Sequence, residues 1–317
     1  MSESAWQTIL PPEAAAVQQS WRYGAAAKLI GRNVYRAEIS TMYQRVGIAQ
    51  VLIRPFGRLG QVGLMSRGPN WMPGTSKEMR AQALGELRRS LSGTGLRLLL
   101  STPEEDTTAV LPLVTGSYLA EVPLSLAQDT MRDALQGKWR NRLVKAENSD
   151  LEVRISNRAQ DLDWLLHLEN GQQKIKGYRN LPAAFLRAWA ASGPDGYKIF
   201  IAQSGGTPVA AMLFLVHAPG ATYQIGWTSE AGRKASAHHL LLWRAMQDLS
   251  TSGLSRLDLG VVDTVTTPGL ARFKLGTGAD LRRLGATGLV VPVPSWPFRR
   301  TAKTNATRGK TMTIGSN

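Results

Sequence analysis

Leu87-Arg-Arg-Ser-Leu-Ser-Gly-Thr-Gly-Leu-Arg-Leu-Leu-Leu100 and Met246-Gln-Asp-Leu-Ser-Thr-Ser-Gly-Leu-Ser-Arg-Leu-Asp-Leu259 follow one pattern. Each is the end of an amphipathic helix, then a Ser/Thr/Gly turn, then a short apolar strand. The matching glycines, Gly95 and Gly253, lie 158 positions apart (253 − 95). Upstream of each, two β-rich runs recur at a similar offset: Tyr35–Ile39 with Gly47–Ile53, and Tyr197–Ala202 with Val209–Val216. One α/β unit is therefore written twice. Its order, strand pair then helix then strand, suits a mixed sheet flanked by helices. Two such units imply a groove between them, and ligands collect in clefts of that kind.

The expected organisation is a first domain over residues 1–125, a second over 126–293 and a basic disordered tail over 294–317. In the first domain Glu13–Ile30 reads as a helix, with Ala14, Val17, Trp21, Ala25 and Leu29 near one face. Thr75, with Glu78 three residues later, fits a capping box that opens the next helix. The stretch Thr108–Val122 gives no clear signal. In the second domain Ala127–Glu147 reads as one basic helix carrying Arg132, Lys138, Arg140, Arg142 and Lys145. Leu242, Ala245, Met246 and Leu249 sit at i, i+3, i+4 and i+7, the stripe of a helix that packs on a sheet.

The chain has 317 residues, 43% hydrophobic and 19% charged, enough for two cored domains and unlike a disordered polymer. With no cysteine, disulfides, thiolate nucleophiles and cysteine-ligated zinc are excluded. The four histidines, His167, His217, His238 and His239, form no metal-ligand spacing, and adjacent helical residues diverge by about 100°. The first residues lack a basic segment followed by an apolar one. The longest apolar run, Val209–Val216, is far shorter than the roughly 20 residues of a membrane span, so a cytoplasmic location is expected. The net charge of +15 points to an anionic partner: nucleic acid, a phosphorylated substrate or an anionic membrane face. Arg299, Arg300, Lys303, Arg308 and Lys310 supply five of those charges, and +10 remains without them.

Five local strings, in order, resemble the Fem-type aminoacyl (peptidyl) transferases, whose chains carry two tandem GNAT-like domains. They are Gln19-Ser20-Trp21, Ser66-Arg67-Gly68-Pro69, the helix from Lys138 to Glu147, Leu257-Asp258-Leu259-Gly260, and Arg272-Phe273-Lys274-Leu275-Gly276. The resemblance spans about Ser20 to Ala279. It implies an α/β fold with two mixed, mostly antiparallel sheets flanked by helices. It implies transfer of an amino acid from aminoacyl-tRNA to an amine, typically on the peptide of a cell-wall precursor, at the inner membrane surface and without metal or other cofactor. It places Lys274 of the Phe-Lys pair beside the reacting carbonyl and Arg179 on precursor phosphates. Arg67, Phe273, Gly276 and Asp258 join them as candidate substrate-binding positions. Where many relatives have an Asp before the proline closing the first-domain strand, this chain has Thr102-Pro103.

Aminolysis of an ester needs a neutral amine and a fixed cation or N–H donor for the oxyanion, worth several kcal/mol in a dry cleft. Lys274 would supply the cation from near a strand end, and Gly276 and Gly278 would let backbone approach a substrate. Asp258 and Asp263, flanking Gly260 at a strand end, are the candidate bases, with a structural hydrogen-bond acceptor as the competing reading of Asp258. Trp139 reads either as a stacking platform or as core. Two other functions stay open. An acyl-CoA N-acyltransferase would need a glycine-rich pyrophosphate loop, and Ser229–Ser236 has only Gly232. A non-catalytic binder of tRNA or anionic lipid would need only the basic surface.

Overall fold

The computed structural model of the protein describes residues 2–9, 16–40, 44–93, 95–291 and 311–314. In chain order the strands are β1 (Asn33–Ser40), β2 (Arg45–Pro55), β3 (Gln61–Ser66), β4 (Asn70–Trp71), β5 (Leu96–Thr102) and β6 (Val110–Val114). Then come β7 (Tyr118–Pro123), β8 (Glu152–Ser156), β9 (Tyr197–Ser204), β10 (Thr207–His217), β11 (Gly220–Thr228) and β12 (Arg256–Val262). The last are β13 (Asp280–Arg283), β14 (Thr287–Val290) and β15 (Thr311–Ile314). The helices are α1 (Glu3–Ile9), α2 (Trp21–Leu29), α3 (Lys77–Ser92), α4 (Gln128–Asp133) and α5 (Gly137–Glu147). They continue with α6 (Ala159–Lys176), α7 (Ala183–Ala191), α8 (Glu230–Lys234), α9 (Ala237–Thr251) and α10 (Pro268–Leu275).

The chain divides into a first unit of residues 1–117 and 283–317 and a second unit of residues 118–282. These limits replace those expected at 125/126 and 293/294, because of hydrogen bonding at both seams. β7 pairs antiparallel with β12 of the second sheet, and β14 returns to pair with β5 and β6 of the first. The first sheet runs β15-β1-β2-β3-β5-β14-β6, with β4 on β2, and the second runs β13-β7-β12-β11-β10-β9-β8.

The repeat is real at the level of topology. In the first unit an antiparallel β1–β2 pair and β3 are followed by α3 and a parallel β5. In the second, antiparallel β9–β10 and β11 are followed by α8, α9 and a parallel β12. Gly95 and Gly253 make the same helix-to-strand turn, with φ of 83° and 79°. The stripe Leu242, Ala245, Met246 and Leu249 is buried against this sheet. At about 1.5–3 kcal/mol per buried large apolar side chain, it is what seats α9. On α3 the counterparts are Leu84, Leu87 and Leu91.

Several local expectations change. Ser76, not Thr75, caps α3, its side chain accepting from Met79 N, while Thr75 Oγ1 donates to the carbonyls of Val46 and Met72. α2 begins only at Trp21, capped by Ser20, after a 3-10 turn over Val17–Gln19. The basic helix over 127–147 is two helices, broken where Gln136 N donates to the Gly276 carbonyl at 2.9 Å. Of the expected tail, Thr311–Ile314 pairs parallel with β1, and residues 292–310 and 315–317 lie outside the described residues.

Two of the sequence motifs serve the first unit itself. Gln19 Nε2 donates to the carbonyls of Gln50 and Ser66, and its Oε1 accepts from Gln50 N. The buried Arg36 guanidinium lies 3.5 Å from the centroid of the Trp21 ring and donates to the Trp21 carbonyl.

Candidate active site

In the second unit the parallel strands β11 and β12 pair only from Gly220–Arg256 to Thr222–Asp258, although β11 continues to Thr228 and β12 to Val262. Two irregularities at the same level part them. The β10–β11 register slips between Leu213 and Phe214, where Gln224 is the extra residue of β11, and the β12–β7 register slips between Asp258 and Val261. Bulges bend a strand and increase its twist. The second contains Gly260 at φ 79°, a left-handed conformation that favours glycine. Beyond the last rung a cavity of about 1050 Å³ opens, and every residue lining it belongs to the second unit.

Lys274 enters this cavity from the last turn of α10, a helix, rather than from a loop at a strand end. It is only 6% exposed, and its Nζ donates at 2.8 Å to the carbonyl of Val261, past the point where β12 leaves β11. Burial pushes its pKa down from 10.5 to about 8, against the opposing pull of the Asp258 charge. The supporting turn is fixed from outside. Trp139, 4% exposed and therefore core, donates its indole N–H to the Phe273 carbonyl at 3.0 Å. The Phe273 ring meets Trp139 and, edge-on, His239. Gly276 packs under Trp139, where a Cβ would lie 2.5 Å from the indole Cδ1. It makes room for the tryptophan, not for a substrate.

Four more cations line the cavity: Arg142 of α5, Lys176 at the end of α6, Arg179 just beyond it, and Arg233 of α8. None of the five forms an ion pair with a described residue. Elsewhere in the unit arginines do pair, as in Arg132–Glu147, Arg154–Asp161 and Arg282–Glu121. The single lining carboxylate, Glu169, is occupied by Tyr178, Gln172, Gln173 and Asn180. Unpaired cations converging on a concave, half-apolar wall make an anion site.

His238 and His239 both line the cavity and both stay neutral. Burial lowers the pKa of each, and for His239, with Arg142 adding to the effect, it reaches about 4. His238 donates its Nε2–H to the Trp227 carbonyl, and His239 Nδ1 has no partner. Burial raises the Tyr178 and Tyr223 hydroxyls well above their ordinary pKa, with Glu169 adding to both. These groups can offer hydrogen bonds at neutral pH but no ready base. Among the described residues no cluster of three histidines or carboxylates could hold a metal ion, and no helix is long and apolar enough to cross a membrane.

Of the residues singled out in the sequence, Lys274, Phe273 and Arg179 come together here. Asp258 stays behind the wall, 3% exposed, accepting from Gly260 N at 2.6 Å, and its charge opposes the downward shift of Lys274. Asp263 accepts from the backbone N–H groups of Val265 and Thr266, stabilising its own turn. Arg67 belongs to the first unit and does not line the cavity; it is 5% exposed and ion-paired to Glu104 at 2.8 Å. Its place is structural. Glu169 and Tyr223 were missed. A glutamate at i+7 from Leu162, i+4 from Leu165 and i+3 from Leu166, on the buried stripe of α6, was a readable signal.

Residues 135–275 match the family model described as an acetyltransferase (GNAT) domain. No curated protein matches the chain. Among solved structures it is similar to FemX, with a TM-score of 0.72 at 12% identity over 90% of this chain and 95% of that one. It is also similar to L-PGS from Bacillus licheniformis, with a TM-score of 0.57 at 12% identity over 92% and 90%. A tandem GNAT protein from the clavulanic acid biosynthesis pathway gives a TM-score of 0.50 at 10% identity over 93% and 96%. The chain thus has a tandem GNAT-like fold of the Fem kind.

Proposed function

We propose that the protein is an acyltransferase that moves an aminoacyl group from aminoacyl-tRNA to the amine of a phosphate-bearing acceptor, such as a cell-wall peptide precursor. The observation carrying this reading is the buried Lys274 ammonium at the floor of a cavity rimmed by Arg142, Lys176, Arg179 and Arg233, none of them ion-paired among the described residues. Both substrates are then polyanions. The rim holds phosphates and Arg179 takes those of the acceptor. Lys274, already anchored on the Val261 carbonyl, faces the oxygen of the ester carbonyl.

The acceptor amine attacks that carbonyl. A carbon–nitrogen bond forms, the oxyanion is stabilised by the ammonium, and the carbon–oxygen bond to the ribose breaks. The proton leaving the amine ends on the ribose oxygen, either directly or through water. With His239 neutral and a weak base, and Asp258 walled off, no side chain takes it permanently. The ester is activated already, so electrostatic stabilisation is the main demand on the protein. Beyond the donor as co-substrate no cofactor enters this reaction, which this reading places in the cytoplasm at the inner membrane face.

The test incubates the purified chain and a cell extract with a mixture of labelled aminoacyl-tRNAs or with labelled acetyl-CoA. Label should pass from aminoacyl-tRNA to an acid-stable amide, and Lys274→Ala should lose turnover while still binding tRNA. Transfer from acetyl-CoA alone would overturn the donor. Undiminished function of Lys274→Ala would overturn the enzyme and favour a binder.

A further inference from the structure

Glu169 is a glutamate in a core position, 3% exposed, in a cavity whose other charged lining residues are cations. Its Oε2 accepts from the Tyr178 hydroxyl at 2.8 Å and from Gln172 Nε2 at 3.3 Å. Its Oε1 accepts from Asn180 Nδ2 at 3.0 Å and from Gln173 Nε2 at 3.3 Å. The two shorter bonds grip the residues on either side of Arg179. Asn180 is tied in turn to β11, since its Nδ2 donates to the Gln224 carbonyl at 3.0 Å and its Oδ1 accepts from Gln224 Nε2. α6 ends at Gly177, with φ 69°, so the segment carrying Arg179 has left the helix ladder. Arg179 itself makes no hydrogen bond or ion pair with a described residue. Its position over the cavity therefore comes from its neighbours.

We infer that Glu169 is a positioning residue that aims Arg179 into the cavity by holding Tyr178 and Asn180, and so sets the affinity for the substrate's phosphate groups. This rests on the reading that Arg179 meets phosphate. The sign of its effect is diagnostic. Electrostatics alone makes a carboxylate in an anion site unfavourable, so neutralising it should tighten anion binding. A clamp predicts the reverse. Glutamine in place of Glu169 has one acceptor oxygen, and its amide N–H would confront either the Tyr178 hydroxyl or the Asn180 amide. The tyrosine can turn to accept and the Asn180 amide nitrogen cannot, so at least one hold is lost or weakened.

The experiment is calorimetric titration of the full chain with inorganic pyrophosphate, comparing the wild type with Arg179→Ala, Glu169→Gln, Tyr178→Phe and the Glu169→Gln/Arg179→Ala double variant. Loss of one charge-assisted contact is worth about tenfold in affinity, and that is expected for Arg179→Ala. Glu169→Gln should weaken binding severalfold and Tyr178→Phe less. The double variant should bind no more weakly than Arg179→Ala, because Glu169 acts through that arginine. Should Glu169→Gln and Tyr178→Phe bind as tightly as the wild type or tighter, with Arg179→Ala impaired, the clamp is wrong and the phosphate reading stands. Should Arg179→Ala bind like the wild type, both are wrong. If Glu169→Gln does not fold, Tyr178→Phe decides, and unchanged affinity there overturns the clamp.

Discussion

Replacing Lys274 by methionine should make the fold more stable at neutral pH and abolish turnover, and the size of the gain follows from the site. Burial holds the amine near 8, against 10.5 in the unfolded chain. At about 1.4 kcal/mol per pH unit, keeping it charged inside the protein costs roughly 3 kcal/mol. Methionine has a similar length and no charge, but forfeits the bond to the Val261 carbonyl, worth about 1 kcal/mol. The net gain is about 2 kcal/mol. The pH dependence is the sharper test. Because the folded pKa is the lower one, the native state binds fewer protons between about 8 and 10.5, so wild-type stability rises with pH across that window. Below it the penalty is present in full. Above 10.5 it has vanished, and the variant, lacking the hydrogen bond, becomes the less stable protein. Urea unfolding followed by tryptophan fluorescence at pH 7 and pH 11 should therefore show the stability difference change sign. A variant less stable than the wild type at pH 7, or a difference that ignores pH, would refute the placement of a desolvated ammonium in this cavity.

The same pKa sets the rate. If the charged amine stabilises the oxyanion, kcat should fall as pH rises through about 8, and Lys274→Arg, charged throughout, should be slower but lose that fall. Gly276→Ala should cost roughly 1–3 kcal/mol of stability and depress kcat, since its methyl would collide with Trp139 and shift α10; a wild-type melting curve would contradict that packing. Arg67→Met should destabilise the first unit by roughly 1–3 kcal/mol by removing its charge-assisted bond to Glu104, while leaving the KM of the folded enzyme unchanged. A raised KM at unaltered stability would return Arg67 to the substrate.

How much of this was legible in the sequence depends on what kind of interaction fixed each feature. The twofold repetition was, because helix stripe, glycine turn and apolar strand are local signals: Gly95 and Gly253 adopt the left-handed turns their setting demanded. The position of Lys274 came from the Phe-Lys resemblance alone. Neither its helix nor its buried stem is visible in the string Arg272–Gly276, because Trp139, more than a hundred residues earlier, holds that turn. Arg67 misled for the same reason. Its partner, Glu104, lies across the first sheet's loops, and no spacing announces an ion pair between distant segments. Likewise the break at Gln136 answers to the Gly276 carbonyl, not to helix propensity.

The deeper question is why two copies of one unit yield one such cavity among the described residues. In the first unit the parallel ladder between β3 and β5 runs from Gln61–Leu96 to Ser66–Thr102, and those strands stay together to their ends. In the second the equivalent ladder stops at Thr222–Asp258. The difference lies on the outer edges. β2 meets β3 without a slip in register, whereas β10–β11 and β12–β7 each carry a bulge just past the final rung. Each bulge turns its strand away from the other, and the gap exposes backbone groups that a closed sheet would have used. A buried lysine persists there because one of those carbonyls accepts its hydrogen bond, and the same amine costs stability for want of a carboxylate in contact. The site is thus made by interrupting the fold's own hydrogen-bond ladder, and among the described residues the converging cations lie in the copy with both interruptions.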